Sequence, residues 1–190
     1  MNIRIFFCLF LLFVSSFLTA QDLSAGEKSY SVITEFQILE TTHGTIFRGG
    51  DFVAGRSVSP KLFLGVGAEL SYSHYHNDNY WDLYNLYFLP VFIDARYNLT
   101  KDSRVTPYLE LSQGISFVNY KKESQLHLWN PHHVFETGYY IYGGGGVSVK
   151  LSTHVKYILN CGFKSYHMSF NRLDVNPRGS TLRTGFMITF

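Results

Sequence analysis

The sequence predicts an eight-stranded antiparallel β-barrel that crosses a membrane, preceded by a cleavable signal peptide. Three observations predict it: eight segments alternate apolar and polar residues with period two, their number is even, and the charges fall on the register opposite the apolar one. The first residues stand apart from that pattern. Arg4 is their one cation, Ile5 to Val14 is an apolar run, and Thr19-Ala20 precedes Gln21, which is the layout of a secretory signal peptide. The run is too short to cross a bilayer as a helix. Cleavage after Ala20 makes residues 1–20 the signal peptide and 21–190 the barrel domain. An uncleaved anchor is the alternative, because Leu18-Thr19-Ala20 is not a perfect small-x-small site. Cys8 lies inside the apolar run, so the mature chain keeps Cys161 alone and has no internal disulfide.

Composition narrows the classes further. A formal net charge of +2, with no basic block, gives no electrostatic case for nucleic acid. Aromatic residues make up 17% of the chain, Pro is scarce and Gly frequent, and no long apolar segment follows the signal, which together favour strands over transmembrane helices.

In chain order the alternating segments are Tyr30–Glu40, Gly50–Val58, Leu62–His74, Tyr84–Leu99, Thr106–Tyr120, Gly138–Leu151, Thr153–His167 and Ser180–Phe190. The fourth is the clearest, with Leu89, Val91, Ile93, Ala95 and Tyr97 opposing Pro90, Phe92, Asp94 and Arg96. In the eighth, Leu182, Thr184, Phe186, Ile188 and Phe190 share a face. The second is the weakest, because Phe52, Ala54, Arg56 and Val58 do not separate cleanly from Val53 and Gly55. A tilted strand needs about 9–11 residues to cross the hydrocarbon layer, and most segments reach that length. Short turns at Ser59-Pro60-Lys61, Thr100 to Val105 and Ser152 alternate with longer connections at Thr41–Gly49, Tyr75–Leu83, Lys121–Thr137 and Met168–Gly179. Short periplasmic turns and longer outer loops are the asymmetry of a bacterial outer-membrane barrel, and the terminal Phe190 fits it.

Charge parity gives the same register. With the apolar face outward, Glu35, Glu69, Asp94, Arg96, Glu110, Lys150, Lys156, Lys164 and Arg183 all point inward, four acids and five bases that can pair. Eight strands leave an interior just wide enough for side chains, so the lumen is expected to be plugged. A soluble barrel would carry the inverse pattern, apolar inside and charged outside.

The seventh segment presents Val155, Tyr157, Leu159, Cys161 and Phe163 outward, and the same face then turns polar with Ser165, His167 and Ser169. Counted from the turn at Ser152, His167 and Ser169 fall where outer-leaflet headgroups meet acyl chains. Residues two apart on a strand point the same way, so the imidazole can take the serine proton and make a nucleophile for an ester. A polar end is also what an ordinary interfacial strand shows, and His-x-Ser is a common tripeptide.

The stretch Gly162-Phe163-Lys164-Ser165-Tyr166-His167-Met168-Ser169, with Asn176-Pro177-Arg178-Gly179 and a last strand ending in Phe190, resembles the C-terminal signature of the lipid A 3-O-deacylase (acyloxyacyl hydrolase) family. Similarity also runs through Thr106-Pro107-Tyr108-Leu109-Glu110-Leu111 and Gly143 to Val149. The N-terminal half matches only as a generic barrel. The resemblance implies an eight-stranded outer-membrane barrel with a Ser-His-acid site on its lipid-facing wall. Outer-membrane lipid would be its partner, lipid A of lipopolysaccharide its substrate, and no cofactor would be needed. It makes His167 the general base and Ser169 the nucleophile, and places Asn176 at an asparagine that serves the oxyanion. The sequence departs from the family in two places. Phe170 follows the serine where the family has Asn, and Asn171 comes one residue later. The orienting acid falls at Ser180 aligned from the C-terminus, or at Thr181 aligned from His167, so Asp174 is the carboxylate left to fill that role.

Gly143 and Gly145 fall on the outward register beside the seventh segment, where missing side chains would leave a groove for an acyl chain. Glycines that simply let the barrel bend are the other reading. His74, His76 and the pair His132-His133 are placed in loops and lack a second pair at metal-ligand spacing, so no metal site is expected. Tyr80, Trp81, Tyr84, Tyr87 and Trp129 suit an outer aromatic girdle. Set against the esterase is a non-catalytic barrel with a structural or partner-binding role, which the missing acid favours.

Overall fold

The computed structural model describes residues 29–42, 44–77, 81–100, 103–124, 132–168 and 177–190. They form eight strands: β1 (Tyr30–Thr41), β2 (Ile46–Ser57), β3 (Leu62–Asn77), β4 (Trp81–Asn98), β5 (Val105–Ser124), β6 (His132–Lys150), β7 (Val155–Met168) and β8 (Arg178–Thr189). Each strand pairs antiparallel with the next, and β8 returns to β1, so the sheet closes on itself. Closure reaches the last residue, where the Phe190 N–H donates to the Tyr30 carbonyl at 2.8 Å. A closed sheet leaves no unpaired edge, which is the condition for strands to lie in lipid. Two of the short turns are fastened by a serine. Ser59 Oγ accepts the Leu62 N–H at 3.1 Å, and Ser152 Oγ accepts the Val155 N–H at 3.2 Å.

Strand lengths differ around the wall. β1, β2 and β8 have 12 residues each and β7 has 14, whereas β3, β4, β5 and β6 have 16, 18, 20 and 19. At about 3.3 Å per residue and a tilt of roughly 40°, the shortest strands rise about 30 Å, enough to cross the hydrocarbon. The four longer strands therefore overhang at the end away from the short turns, above register shifts between Ser73 and Tyr75 and between Tyr84 and Tyr87.

This overhang corrects the loop lengths expected from sequence. The four connections at that end shrink to residues 42–45, 78–80, 125–131 and 169–177. His74 and His76 belong to β3, and His132 and His133 open β6 instead of lying in a loop. The physical reason is that beyond the hydrocarbon no lipid selects for an apolar face. Backbone pairing continues there without the apolar alternation that marks a strand in sequence.

The wall is inside out relative to a soluble barrel. Phe36, Val66, Ile93, Leu111 and Phe163 are each at least half exposed on the outer face. Glu35, Asp51, Glu69, Asp94, Arg96, Glu110, Lys164 and Arg183 are buried in the lumen. Only a lipid surround makes both halves of that pattern favourable.

The lumen is plugged by layers. Leu39, Phe47, Leu86, Phe88 and Val118 fill the outer end with Tyr166, whose ring centroid lies 4.6 Å from that of Phe88. Below them Lys164 Nζ donates to Glu69 Oε2 at 2.8 Å and to Gln37 Oε1. Tyr166 and Ser71 hydroxyls both donate to Glu69 Oε1 at 2.5 Å. Arg183 Nη1 donates to Glu110 Oε1 at 2.9 Å and stands 3.7 Å from Asp51, with its guanidinium 3.5 Å from the Tyr142 ring centroid. Toward the short-turn end, Arg96 binds Glu35 through Nη2 at 2.7 Å and Asp94 through Nε at 2.9 Å. Asn160 Nδ2 lies within reach of Glu35 at 2.8 Å, Tyr108 at 3.1 Å and Glu110 at 3.1 Å.

The buried ions thus differ from the four acids and five bases expected. Asp51 adds a fifth acid from β2, while Lys150 and Lys156 keep the inward register but are only half-buried at the short-turn rim. Asp51 carries little sequence signal because Gly49, Gly50 and Gly55 dilute the alternation of its strand.

Truncating one member of a buried ion cluster strands its partners in a medium that cannot solvate them. Arg183→Ala, which leaves Asp51 and Glu110 without their shared guanidinium, should lower the unfolding free energy of the vesicle-folded barrel by about 3–5 kcal/mol. Urea titration followed by tryptophan fluorescence measures it. A loss under 1 kcal/mol would mean that Arg183 does not hold these acids.

Candidate functional site

The seventh strand behaves as its alternation requires. Its inward residues Ile158, Asn160, Lys164 and Tyr166 are buried, and its outward residues Leu159, Cys161, Phe163 and His167 are exposed. His167 therefore lies on the lipid-facing wall, one residue before the strand ends. Its cross-strand partner on β6 is Tyr139, itself 41% exposed, and the next outward pair below is Ser165 with Ile141.

Of the other site residues expected from sequence, Ser169, Asn171, Asp174 and Asn176 lie outside the described residues. Ser180 and Thr181, the positions at which the resemblance would put an acid, are described and part company. Ser180 faces outward opposite Phe163, four residues below His167 on the neighbouring strand, while Thr181 is buried in the lumen. Neither is set beside the imidazole. Among the described residues no carboxylate is paired in register with His167. The outward carboxylate near this end is Glu40 on β1, separated from β7 by β8.

Two outward cations at the same end were not singled out from sequence. Arg178 is exposed opposite Ser165 on β8, one pair below the level of His167, and Arg48 is exposed on β2. An arginine at the end of an apolar register is a signal that alternation alone carries, although it reads equally as a strand boundary.

The glycine run on β6 divides by parity. Gly143 and Gly145 face outward, flanked by Leu111 and Leu109 on β5 and by Phe163 and Cys161 on β7. A Cβ at Gly143 would meet nothing within 4 Å, and one at Gly145 would first meet the Tyr108 carbonyl at 3.3 Å. The outer wall is hollowed here. Gly144 and Gly146 face inward, and a Cβ on either would run into backbone and into Tyr142 or Asn160. The run thus leaves open space on the outer face and allows close packing on the inner one. The groove begins about 14 Å along the strand from His167, four residues at about 3.4 Å each.

Of the aromatic residues expected at the outer interface, Tyr87 is exposed and packs at a tilt against Tyr72, with ring centroids 5.0 Å apart. Tyr80 and Trp129 lie outside the described residues, as do the side chains of Trp81 and Tyr84.

A closed eight-stranded barrel with an apolar outer belt and a plugged, charged lumen is an integral barrel of the bacterial outer-membrane type. No protein-family model matches the chain, and no curated protein matches it. Among solved structures it is similar to Neisserial surface protein A, with a TM-score of 0.57 and 14% identity over 88% of this chain and 99% of that one. It is also similar to a major outer membrane protein from Thermus thermophilus, with a TM-score of 0.57 and 11% identity over 87% of this chain and 100% of the other. Outer Membrane Protein W of E. coli gives a TM-score of 0.51 and 11% identity over 88% and 100%. At such identities the likeness is one of fold.

The two classes of glycine should respond differently to a methyl group. Gly143→Ala should leave the heat-modifiable gel shift and the urea midpoint as in the wild type, whereas Gly144→Ala should lower the midpoint or prevent folding. Equal behaviour of the two variants would refute the assignment of faces.

Proposed function

We propose that the barrel is an outer-membrane esterase that removes an ester-linked acyl chain, the 3-O chain, from lipid A. The observation that carries this reading is the outward, lipid-facing position of His167. An imidazole in the lumen would have no access to a membrane lipid. The groove at Gly143 and Gly145 lies deeper along the same wall, where an acyl chain hanging from a headgroup-level ester would run.

In this scheme Ser169 Oγ attacks the acyl carbonyl carbon while His167 accepts the hydroxyl proton. The carbonyl oxygen takes the negative charge, with Asn176 or Asn171 donating to it. Collapse breaks the bond to the sugar oxygen, which takes the proton from His167 and departs, while the acyl group stays on Ser169. Water, deprotonated by the same imidazole, then attacks the acyl carbonyl, the bond to Ser169 Oγ breaks, and His167 returns the proton to that oxygen as the fatty acid leaves. Asp174 is the carboxylate assigned to hold the imidazole tautomer.

A non-catalytic barrel with a structural or partner-binding role is the second reading. It is favoured by the absence of an acid at Ser180 and Thr181, and by the inward position of Thr181.

Mass spectrometry of lipid A from an outer membrane expressing the protein separates the two. The esterase predicts a species lighter by one ester-linked acyl chain, lost in Ser169→Ala and reduced about 10²–10⁴-fold in rate in His167→Ala. Gly143→Trp, which fills the groove, should slow the reaction while the barrel still folds. Identical lipid A with and without the wild-type protein would discard the esterase and leave the non-catalytic barrel.

A further inference from the structure

The low side of the outer rim carries charges that the esterase scheme does not use. β1, β2 and β8 are the shortest strands, and at their outer ends the lipid-facing register changes from apolar to charged. Leu182, Ile38 and Phe36 are exposed on the wall below. At the rim, Arg178 opens β8, Glu40 is the next-to-last residue of β1 and Arg48 is the third of β2, and all three are exposed on the outward register.

The lumen arginines, Arg96 and Arg183, are each held by carboxylates. The two rim arginines are not. Among the described residues neither Arg178 nor Arg48 has an ion pair or a side-chain hydrogen bond, with Glu40 or with any other group. A cation at the edge of the hydrocarbon is favourable where lipid headgroups supply its acceptors, and the planar guanidinium fork matches phosphate oxygens. The placement is specific. Arg178 is paired with Ser165, and His167 lies two residues further along β7, so Arg178 and the imidazole stand on adjacent strands at a diagonal separation of about 7–8 Å. Arg178 stands opposite Thr42, whose N–H donates to its carbonyl at 3.0 Å, whereas Arg48 is paired with Ile38. The two arginines therefore flank β1 with backbones roughly 17 Å apart, about four residues along the strand and two strand spacings across. That span exceeds one phosphate and suits a headgroup with a phosphate at each end.

We propose that Arg178 and Arg48 bind the two phosphates of a phosphorylated disaccharide headgroup, with Arg178 holding the phosphate on the sugar whose ester faces His167. Glu40, between the arginines, accepts hydrogen bonds from sugar hydroxyls. The choice of lipid A as that headgroup rests on the esterase reading, and the arginines are the positioning residues that bring its ester to the imidazole.

The test uses the full mature barrel carrying Ser169→Ala, so that bound lipid is not turned over, in a non-ionic detergent. Native mass spectrometry follows three probes: lipid A with both phosphates, lipid A lacking the phosphate on the sugar that bears the 3-O ester, and phosphatidylglycerol. Arg178→Ala should weaken binding of the bisphosphorylated lipid about tenfold, the loss of one charge-assisted contact. It should leave binding of the dephosphorylated lipid unchanged, because the group it contacts is gone. Arg48→Ala should weaken both forms of lipid A, since the second phosphate is present in each. Arg178→Lys, which keeps the charge without the fork, should recover part of the loss, and a wild-type gel shift shows that each variant is folded. Phosphatidylglycerol should bind more weakly than lipid A and respond to none of the substitutions. Equal binding of the bisphosphorylated lipid by Arg178→Ala and its parent, the same loss on the dephosphorylated lipid, or phosphatidylglycerol bound as tightly as lipid A would overturn the proposal. Failure of the esterase is read elsewhere, in a lipid A mass that the wild-type protein leaves unchanged, and binding in the Ser169→Ala barrel does not depend on it.

Discussion

Everything in this molecule depends on keeping charge inside a tube too narrow for bulk water. Among the described residues five carboxylates and three cations are buried in the lumen, and each sits there only because an opposite charge, hydroxyl or amide is within reach. Those pairings cross the barrel, joining β1 to β4 through Glu35 and Arg96, β3 to β7 through Glu69 and Lys164, and β5 to β8 through Glu110 and Arg183. A slip of one residue in any strand would turn its charges into lipid and its apolar side chains into the lattice. The polar interior therefore fixes the register, and the register decides which side chains the membrane meets.

That dependence explains how much was legible in the sequence. Alternation in β4 and β8 and the parity of Glu35, Arg96, Lys164 and Arg183 specify strands, closure and polarity together, because one physical rule generates all three. Where the rule lapses, so does the reading. Glycines in β2 leave no side chain to mark a face, so nothing in the alternation marks Asp51 as a lumen acid. The overhanging ends of β3 and β6 lack a regular apolar alternation, so His74, His76, His132 and His133 read as loop residues in the sequence although the backbone there is still paired.

The candidate site was legible only as far as its register. His167 follows from counting by twos along β7, and so does the outward position of Gly143 and Gly145 on β6. Counting cannot identify an acid partner, because catalytic neighbours come from different strands and are set by the stagger between them. The stagger sets Ser180 opposite Phe163 and buries Thr181, so neither position supplied by alignment stands beside the imidazole.

The outward face of β7 is the claim on which the account rests, and the chain carries its own probe for it. Cys161 is a free, exposed cysteine on that face, directly beside the Gly145 groove through its pairing on β6. A nitroxide attached to Cys161 in the vesicle-folded barrel, read by power-saturation electron paramagnetic resonance, should collide freely with oxygen and hardly at all with a water-soluble nickel complex. A label moved to position 160 in a Cys161→Ser background should show neither collision. High oxygen access at position 160, with a sheltered label at Cys161, would contradict the register and the lipid-facing placement of His167 with it.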